Sequence, residues 1–159
     1  MTDNFIGRTI YMADAAPATN DNTGFEALTW VKVNGLITLP QLGVTHSMID
    51  VPDLQTGFTS AVKGAGQGVD TTATFRNVPS DTGQDNLKTA ANSQDGIISF
   101  KIVDGSGTDN APASGDPVEY ATGIAHSYQP NQGDNSNYEG FSVGFRQNAA
   151  TVVATEPTP

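Results

Sequence analysis

The chain has 159 residues, seven Lys and Arg against 17 Asp and Glu, no cysteine, and a formal net charge of −10. That length suits one domain with a real core, and the acidity excludes tight nucleic-acid binding through phosphate neutralisation. The absence of cysteine excludes disulfides, thiolate chemistry and Cys-ligated zinc. Charged residues are 15% of the chain, where about 25% is usual. Thr, Ser, Asn, Gln and Gly replace them, and Asp outnumbers Glu 13 to 4, a composition for strands and turns rather than helices. The opening residues carry neither a basic segment nor a long apolar run, so no secretory signal is expected. No stretch approaches the roughly 20 apolar residues that span a membrane.

Period-2 alternation is the main structural signal. Ile6, Arg8, Ile10 and Met12 alternate with Phe5, Gly7, Thr9 and Tyr11 in a first strand. A polar loop, Asp14 to Gly24, precedes a second strand through Leu28, Trp30, Val31 and Val33. The Asn34-Gly35 that follows predicts a hairpin, continued by Leu36–Leu39 and Val44–Val51. From Asp50 to Gly68 the chain reads as a long loop, with Pro52 and four glycines and no sustained period. Loops of that length inside compact domains usually have a job; a short strand around Phe58 to Val62 is the alternative.

Asp70 to Arg76 then alternates cleanly, with Val69, Thr71, Ala73 and Phe75 on one face and Asp70, Thr72, Thr74 and Arg76 on the other. Ser80 to Gln94 predicts the one convincing helix, started by Thr82 with Asp85 three residues on and ended by Asp95-Gly96. Leu87, Ala90 and Ala91 give it a narrow apolar stripe, too weak to stand without a sheet beneath it. Ile98, Phe100 and Ile102 predict the buried face of the next strand. In the following one, Val118, Tyr120, Thr122, Ile124, His126 and Tyr128 oppose Glu119, Ala121, Gly123, Ala125 and Ser127. Phe141, Val143 and Phe145 oppose Ser142, Gly144 and Arg146 in another, and residues 151–155 can add an edge strand. The expected fold is a mostly β, antiparallel sandwich or barrel with one flanking helix, in one domain over 1–159 that ends in an extended tail at about 154–159.

Catalytic signals are weak. His46-Ser47 and His126-Ser127 are adjacent pairs, and neighbours on a regular strand point to opposite faces, so neither is expected to share a hydrogen bond. Residues 64–68 lack the Lys-Ser/Thr and the spacing of a phosphate cradle. Asp104 to Asp109 resembles the start of a calcium loop, but Asp109 stands where that loop needs Gly, and Gly115 where it needs Glu. No enzyme, cofactor or metal is expected. The small residues around Ala121, Gly123, Ala125 and Gly144 allow close approach, either by a neighbouring subunit or by the chain's own helix.

The run from Val33 through Asn-Gly-Leu-Ile-Thr-Leu-Pro-Gln-Leu to Gly43, then Ile49-Asp-Val-Pro-Asp-Leu54, resembles the major tail tube proteins of long, non-contractile-tailed bacteriophages. Gene transfer agents carry related tubes. The similarity continues through the Gly-rich segment, the strand at Asp70–Arg76, the helix, and Gly96 to Val103. It spans roughly Gly35 to Val103, with Pro52 departing from the Thr-like residue expected before Asp53-Leu54.

The resemblance implies a structural virion protein that stacks as hexameric rings into a hollow tube. That tube would form around a tape-measure protein, meet tail terminator and tail-tip proteins, and pass DNA without holding it. It would be assembled in the bacterial host cytoplasm. The segment at 50–68 is then the ring-stacking loop, with Asp50, Asp53, Leu54, Phe58, Lys63, Gly64, Gly66 and Gly68 as its candidate residues. Asp70, Thr72 and Thr74 are candidates for the lumen, with Ser99 and Lys101 behind them; the face near Ala121 is the other choice of inner wall. The competing reading is a monomeric β-sandwich binding module, a tail decoration or adhesin-like domain, with Trp30 and the four tyrosines as its stacking platform.

Overall fold

The structure, a computed structural model, describes residues 6–158; Phe5 of the expected first strand lies outside them. Its strands are β1 (Arg8–Ala13), β2 (Val31–Val33), β3 (Leu36–Thr38), β4 (Val44–Asp53), β5 (Phe58–Gly68), β6 (Asp70–Arg76), β7 (Ile97–Asp104), β8 (Pro117–Asn131), β9 (Gly140–Gln147) and β10 (Val152–Thr155). The helices are α1 (Asn22–Glu26) and α2 (Thr82–Asn92), with one 3-10 turn at Thr108–Asn110. The main sheet runs β2-β1-β7-β8-β9-β6-β3, with β10 added to β8, and β4 and β5 form a separate two-stranded sheet. All these pairings are antiparallel. The mostly β class with its flanking helix is therefore as the alternation predicted.

The ends of that sheet meet. β2 and β3 stand at opposite ends of the strand order, yet only Asn34 and Gly35 separate them in the chain. The path must therefore curl until its edges adjoin. The expected Asn34-Gly35 hairpin is thus corrected: β2 pairs with β1 and β3 with β6, not with each other. The dipeptide still supplies its usual local geometry, since Gly35 sits at φ +80, a region open to glycine. Partner choice is set by the rows Val33–Ile10 and Leu36–Phe75, because burial of side chains outweighs a local turn signal.

Gln84 locks this corner. Fully buried on α2, it donates through Nε2 to the Asn34 carbonyl at 2.7 Å and the Arg76 carbonyl at 2.8 Å, and its Oε1 accepts from the Val78 amide. Asp81, not Thr82, caps α2: its carboxylate accepts from the Gln84 amide at 3.0 Å and from the Asn34 side-chain amide at 2.5 Å.

Strands β1, β2, β6, β7, β8 and β9 all contribute side chains to one core, among them Ile10, Val33, Phe75, Phe100, Ala121 and Phe145. Leu87 and Ala90 of α2 join it beside Ala121 and Ala125. The small face of β8 is therefore the seat of the chain's own helix, which decides between the two uses expected for it. A second cluster lies on the opposite face of β7 and β8, where Phe25, Val103, Val118 and Tyr120 pack with Trp30 and Tyr11. Part of the expected polar loop makes this possible. Asp21 caps the short α1 by accepting from the Gly24 amide at 2.8 Å, which lays Phe25 flat on Tyr120 with ring centroids 5.0 Å apart. β7 and the first half of β8 are thus buried on both faces.

The expected terminal tail is also corrected. Residues 154 and 155 belong to β10, and the Glu156 amide donates to the Asp116 carbonyl at 2.8 Å, so the chain is tied down to that point.

Candidate functional site

The segment expected as a loop at 50–68 is a β-ribbon, and it begins earlier, at Val44. Residues from Val44 to Asp53 pair with Phe58 to Gly68 in continuous register, broken only by a bulge between His46 and Met48. Pro52 is tolerated because a two-stranded ribbon consists of edges. The tip turns on Asp53, whose carboxylate accepts from the amides of Gln55 at 2.8 Å and Thr56 at 3.3 Å. Those bonds, the one from Gln55 foremost, hold the Asp53 carboxyl below its usual range.

Every residue of β4, and all of β5 except Gly64 and Gly68, is exposed. The ribbon is an arm that leaves the body. Cross-strand partners share a face, so Ile49 with Val62, Val51 with Ser60, and Asp53 with Phe58 lie on one side. Met48 with Lys63, Asp50 with Ala61, and Pro52 with Thr59 lie on the other. One face is thus the more apolar, with Ile49, Val51, Val62 and Phe58 beside Ser60 and Asp53, yet Phe58 is 75% and Ile49 55% exposed. The candidate residues Asp50, Asp53, Leu54, Phe58, Lys63, Gly64, Gly66 and Gly68 are all brought together on this arm. Ile49, Val51 and Val62, which complete its apolar face, were missed as site residues although their β-branched side chains signal a strand.

The root of the arm is fixed. The Val69 amide donates to the Gly43 carbonyl at 3.0 Å, closing the ribbon where it joins the body. Gln147, 2% exposed, accepts from the Gly43 amide at 2.5 Å and donates to Thr151 Oγ1 at 2.8 Å. A buried polar group satisfied on both sides holds one orientation.

One residue beyond the root, β6 presents Asp70 and Thr72 to solvent, with Thr74 half-buried, while Ala73 and Phe75 enter the core. The strand alternates as its sequence predicts. Ser99 and Lys101 are not on that surface. Ser99 is fully buried and donates to the Ala15 carbonyl at 2.7 Å; Lys101 is buried with its Nζ 2.8 Å from Glu156. Side chains without open surface line no channel, so both are withdrawn as lumen candidates. Around that ion pair, burial first and the charges of Glu156 and Glu26 next push the Tyr120 phenol up to about 12.

The expectation that His126 and Ser127 could not bond is overturned. Ser127 takes φ +53 and the register of β8 on β9 slips between His126 and Gln129. At this bulge the hydroxyl of Ser127 comes within 2.8 Å of His126 Nδ1, while His126 Nε2 lies 2.8 Å from Asp70 Oδ1. The imidazole crosses β9 above Gly144, where a Cβ would collide with the ring. The connectivity is that of an Asp-His-Ser relay, but the pair is open to water, with side chains 55% and 38% exposed. It braces β6 to β8 and is worth at most about 1 kcal/mol as a salt bridge. The same bulge turns Tyr128 from its expected face onto the main core, 5.7 Å from Phe141.

Most of the aromatic platform of the competing reading is spent inside the molecule, with Tyr138 alone of its five members left exposed. Tyr120 is buried, Trp30 leans on it at 5.8 Å, and Tyr11 and Tyr128 pack against the two cores. Among the described residues, no helix is long and apolar enough to cross a membrane, and no group of three or more His, Cys, Asp or Glu could hold a metal ion.

The sequence matches no protein-family profile and no curated protein sequence. The fold does match solved structures. The SPP1 tail tube aligns over 94% of this chain and 77% of its own, at 14% identity and a TM-score of 0.63. This is the phage tail tube fold. The tail of an empty gene transfer agent particle, refined with C6 symmetry, aligns over 98% of this chain and 99% of its own, at 14% identity and a TM-score of 0.58. The sheath/tube terminator of an extracellular contractile injection system aligns over 98% and 97%, at 10% identity and 0.60. On this tail-tube fold, the arm carries apolar surface that the described residues of the chain leave uncovered.

Proposed function

We propose that this chain is the repeating subunit of a tail tube: a structural virion protein whose copies form hexameric rings, stacked into a conduit for DNA. The observation that carries the reading is the fully exposed, one-face-apolar arm, on a fold whose solved neighbours include the SPP1 tail tube and a gene transfer agent tail of C6 symmetry. Monomeric proteins rarely leave a contiguous apolar patch in water. The arm acts as the ring-stacking element, with Phe58, Ile49, Val51 and Val62 as its anchors. A tape-measure protein occupies the bore during assembly in the host cytoplasm, and terminator and tip proteins close the two ends.

The lumen is lined by the face of Asp70, Thr72 and Thr74, which adjoins the arm. A chain of net charge −10 repels phosphate, so DNA slides along such a wall without the contacts that would hold it. Electron microscopy of the concentrated protein tests the assembly: rings or tubes are expected. Monomers at every concentration, even with a tape-measure partner, would defeat it. Thr72→Lys tests the wall, because it adds a cation per subunit while keeping both Asp70 and His126 in the sequence. Slower DNA ejection from otherwise normal tails is expected, and unchanged kinetics would remove this face from the bore.

A further inference from the structure

An open groove of about 1000 Å³ lies at one end of the body, between the Leu36–Leu42 segment and Arg8, Ile102 and Glu119. Its walls are mostly apolar: Leu36, Leu39 and Leu42 only partly join the core, and Ile37 is 47% exposed. The arm does not lie in this groove in its own chain, since its strands are exposed throughout. The chain therefore carries an apolar ribbon and an apolar trough that are not joined to each other.

We propose that the groove receives the arm of a second copy, apolar face inward. Resting on the assembly reading above, this names the surface on which the arm lands. Charge favours the match: the trough holds Arg8, and the arm brings Asp53 at the end of its apolar face. The Asp53 carboxylate is kept ionised by its own turn, so it reaches Arg8 as an anion. Ile49, Val51, Val62 and Phe58 fill the trough, with Phe58 as the aromatic anchor. A ribbon and a trough on different parts of one chain make a heterologous contact, which closes into rings or propagates into filaments, and supplies one acceptor for every arm.

The test uses the absence of cysteine. Val51→Cys on the arm and Ile37→Cys at the lip of the groove are combined in one chain, assembled, and treated with a flexible bismaleimide. A ladder of covalent oligomers in a denaturing gel is expected from the double variant. A one-to-one mixture of the single variants is expected to stop at dimers. Tubes that form without a ladder would overturn the groove as acceptor while leaving the assembly reading intact. Cross-linking confined to the monomer band would do the same, by placing the arm in its own groove. Failure of the unmodified chain to assemble at all would overturn both. Separately, Ile37→Asp is expected to raise the concentration needed for assembly about tenfold, a difference of 1.4 kcal/mol, with monomer unfolding unchanged.

Discussion

The body and the arm obey opposite rules. In the body, β7 and the first half of β8 are buried on both faces, and Phe25, Phe75, Phe100, Phe141 and Phe145 are all buried. In the arm, Phe58 and Leu54 stand in water, and the two strands have only each other. A lone two-stranded ribbon is marginal in water, and its apolar face gains nothing in the monomer. What stabilises the body is internal, and nothing among the described residues covers the apolar face of the arm.

Mutations in the two regions should separate sharply. Phe100→Ala, which empties a space against Phe145 at 4.7 Å between ring centroids, should lower the unfolding free energy in denaturant titrations by about 3–5 kcal/mol. Phe58→Ala should change it by less than about 0.5 kcal/mol and weaken assembly instead. Equal losses would mean the arm belongs to the core. Next in size, Gln84→Ala leaves the Asn34 and Arg76 carbonyls and the Val78 amide without their partner, at a cost of about 1–3 kcal/mol in the same titration.

Acid probes the body at Asp116, one of several carboxylates that hydrogen bonds depress. Asp116 accepts from the Ser106 hydroxyl at 2.6 Å and from the amides of Ser106 and Ala113, and these bonds, the hydroxyl first, lower its pKa. A carboxyl depressed by folding adds stability that is complete above its unfolded value of about 3.9 and is lost as pH falls through the folded one. The wild-type melting temperature should therefore fall more steeply below about pH 4 than that of Asp116→Asn. Parallel acid profiles would assign the loss elsewhere. The smallest effect on stability is expected from the largest excision. Because Gly43 and Val69 are already hydrogen-bonded, replacing residues 45–67 with a short turn should leave thermal unfolding almost unchanged and abolish tubes in the electron microscope.

The body was the legible half of the sequence. Strand β6 and helix α2 announce themselves, because one face of each meets a core, and β7 does so because Ile98, Phe100 and Ile102 alternate with the polar Ser99 and Lys101 although both of its faces are buried. The arm was not legible, since both its faces meet water in the monomer. With no core side to mark, period 2 fades into Thr, Ser, Gly and one Pro, and the segment reads as a loop. Two other features were hidden for different reasons. Asn34-Gly35 gave the right local conformation and the wrong partner, because the choice between a hairpin and a corner is made by distant rows. Ser127 gave no sign of its bulge, because a serine in the left-handed region has no composition cue, and so the His126–Ser127 bond and the turn of Tyr128 were unreadable.

The two-residue link between β2 and β3 has a consequence for the order in which the molecule is made. The strands at the ends of the sheet are synthesised early, and three at its middle, β7, β8 and β9, come late. The arm therefore leaves the ribosome before the strands that β1 and β6 pair with across the sheet. Such long-range pairing is slow, and an exposed apolar ribbon attached to an unfinished body is an aggregation hazard during that interval. Each new chain thus exposes the arm's apolar face before it has a body to position it, and closure of the body has to outrun association through that face.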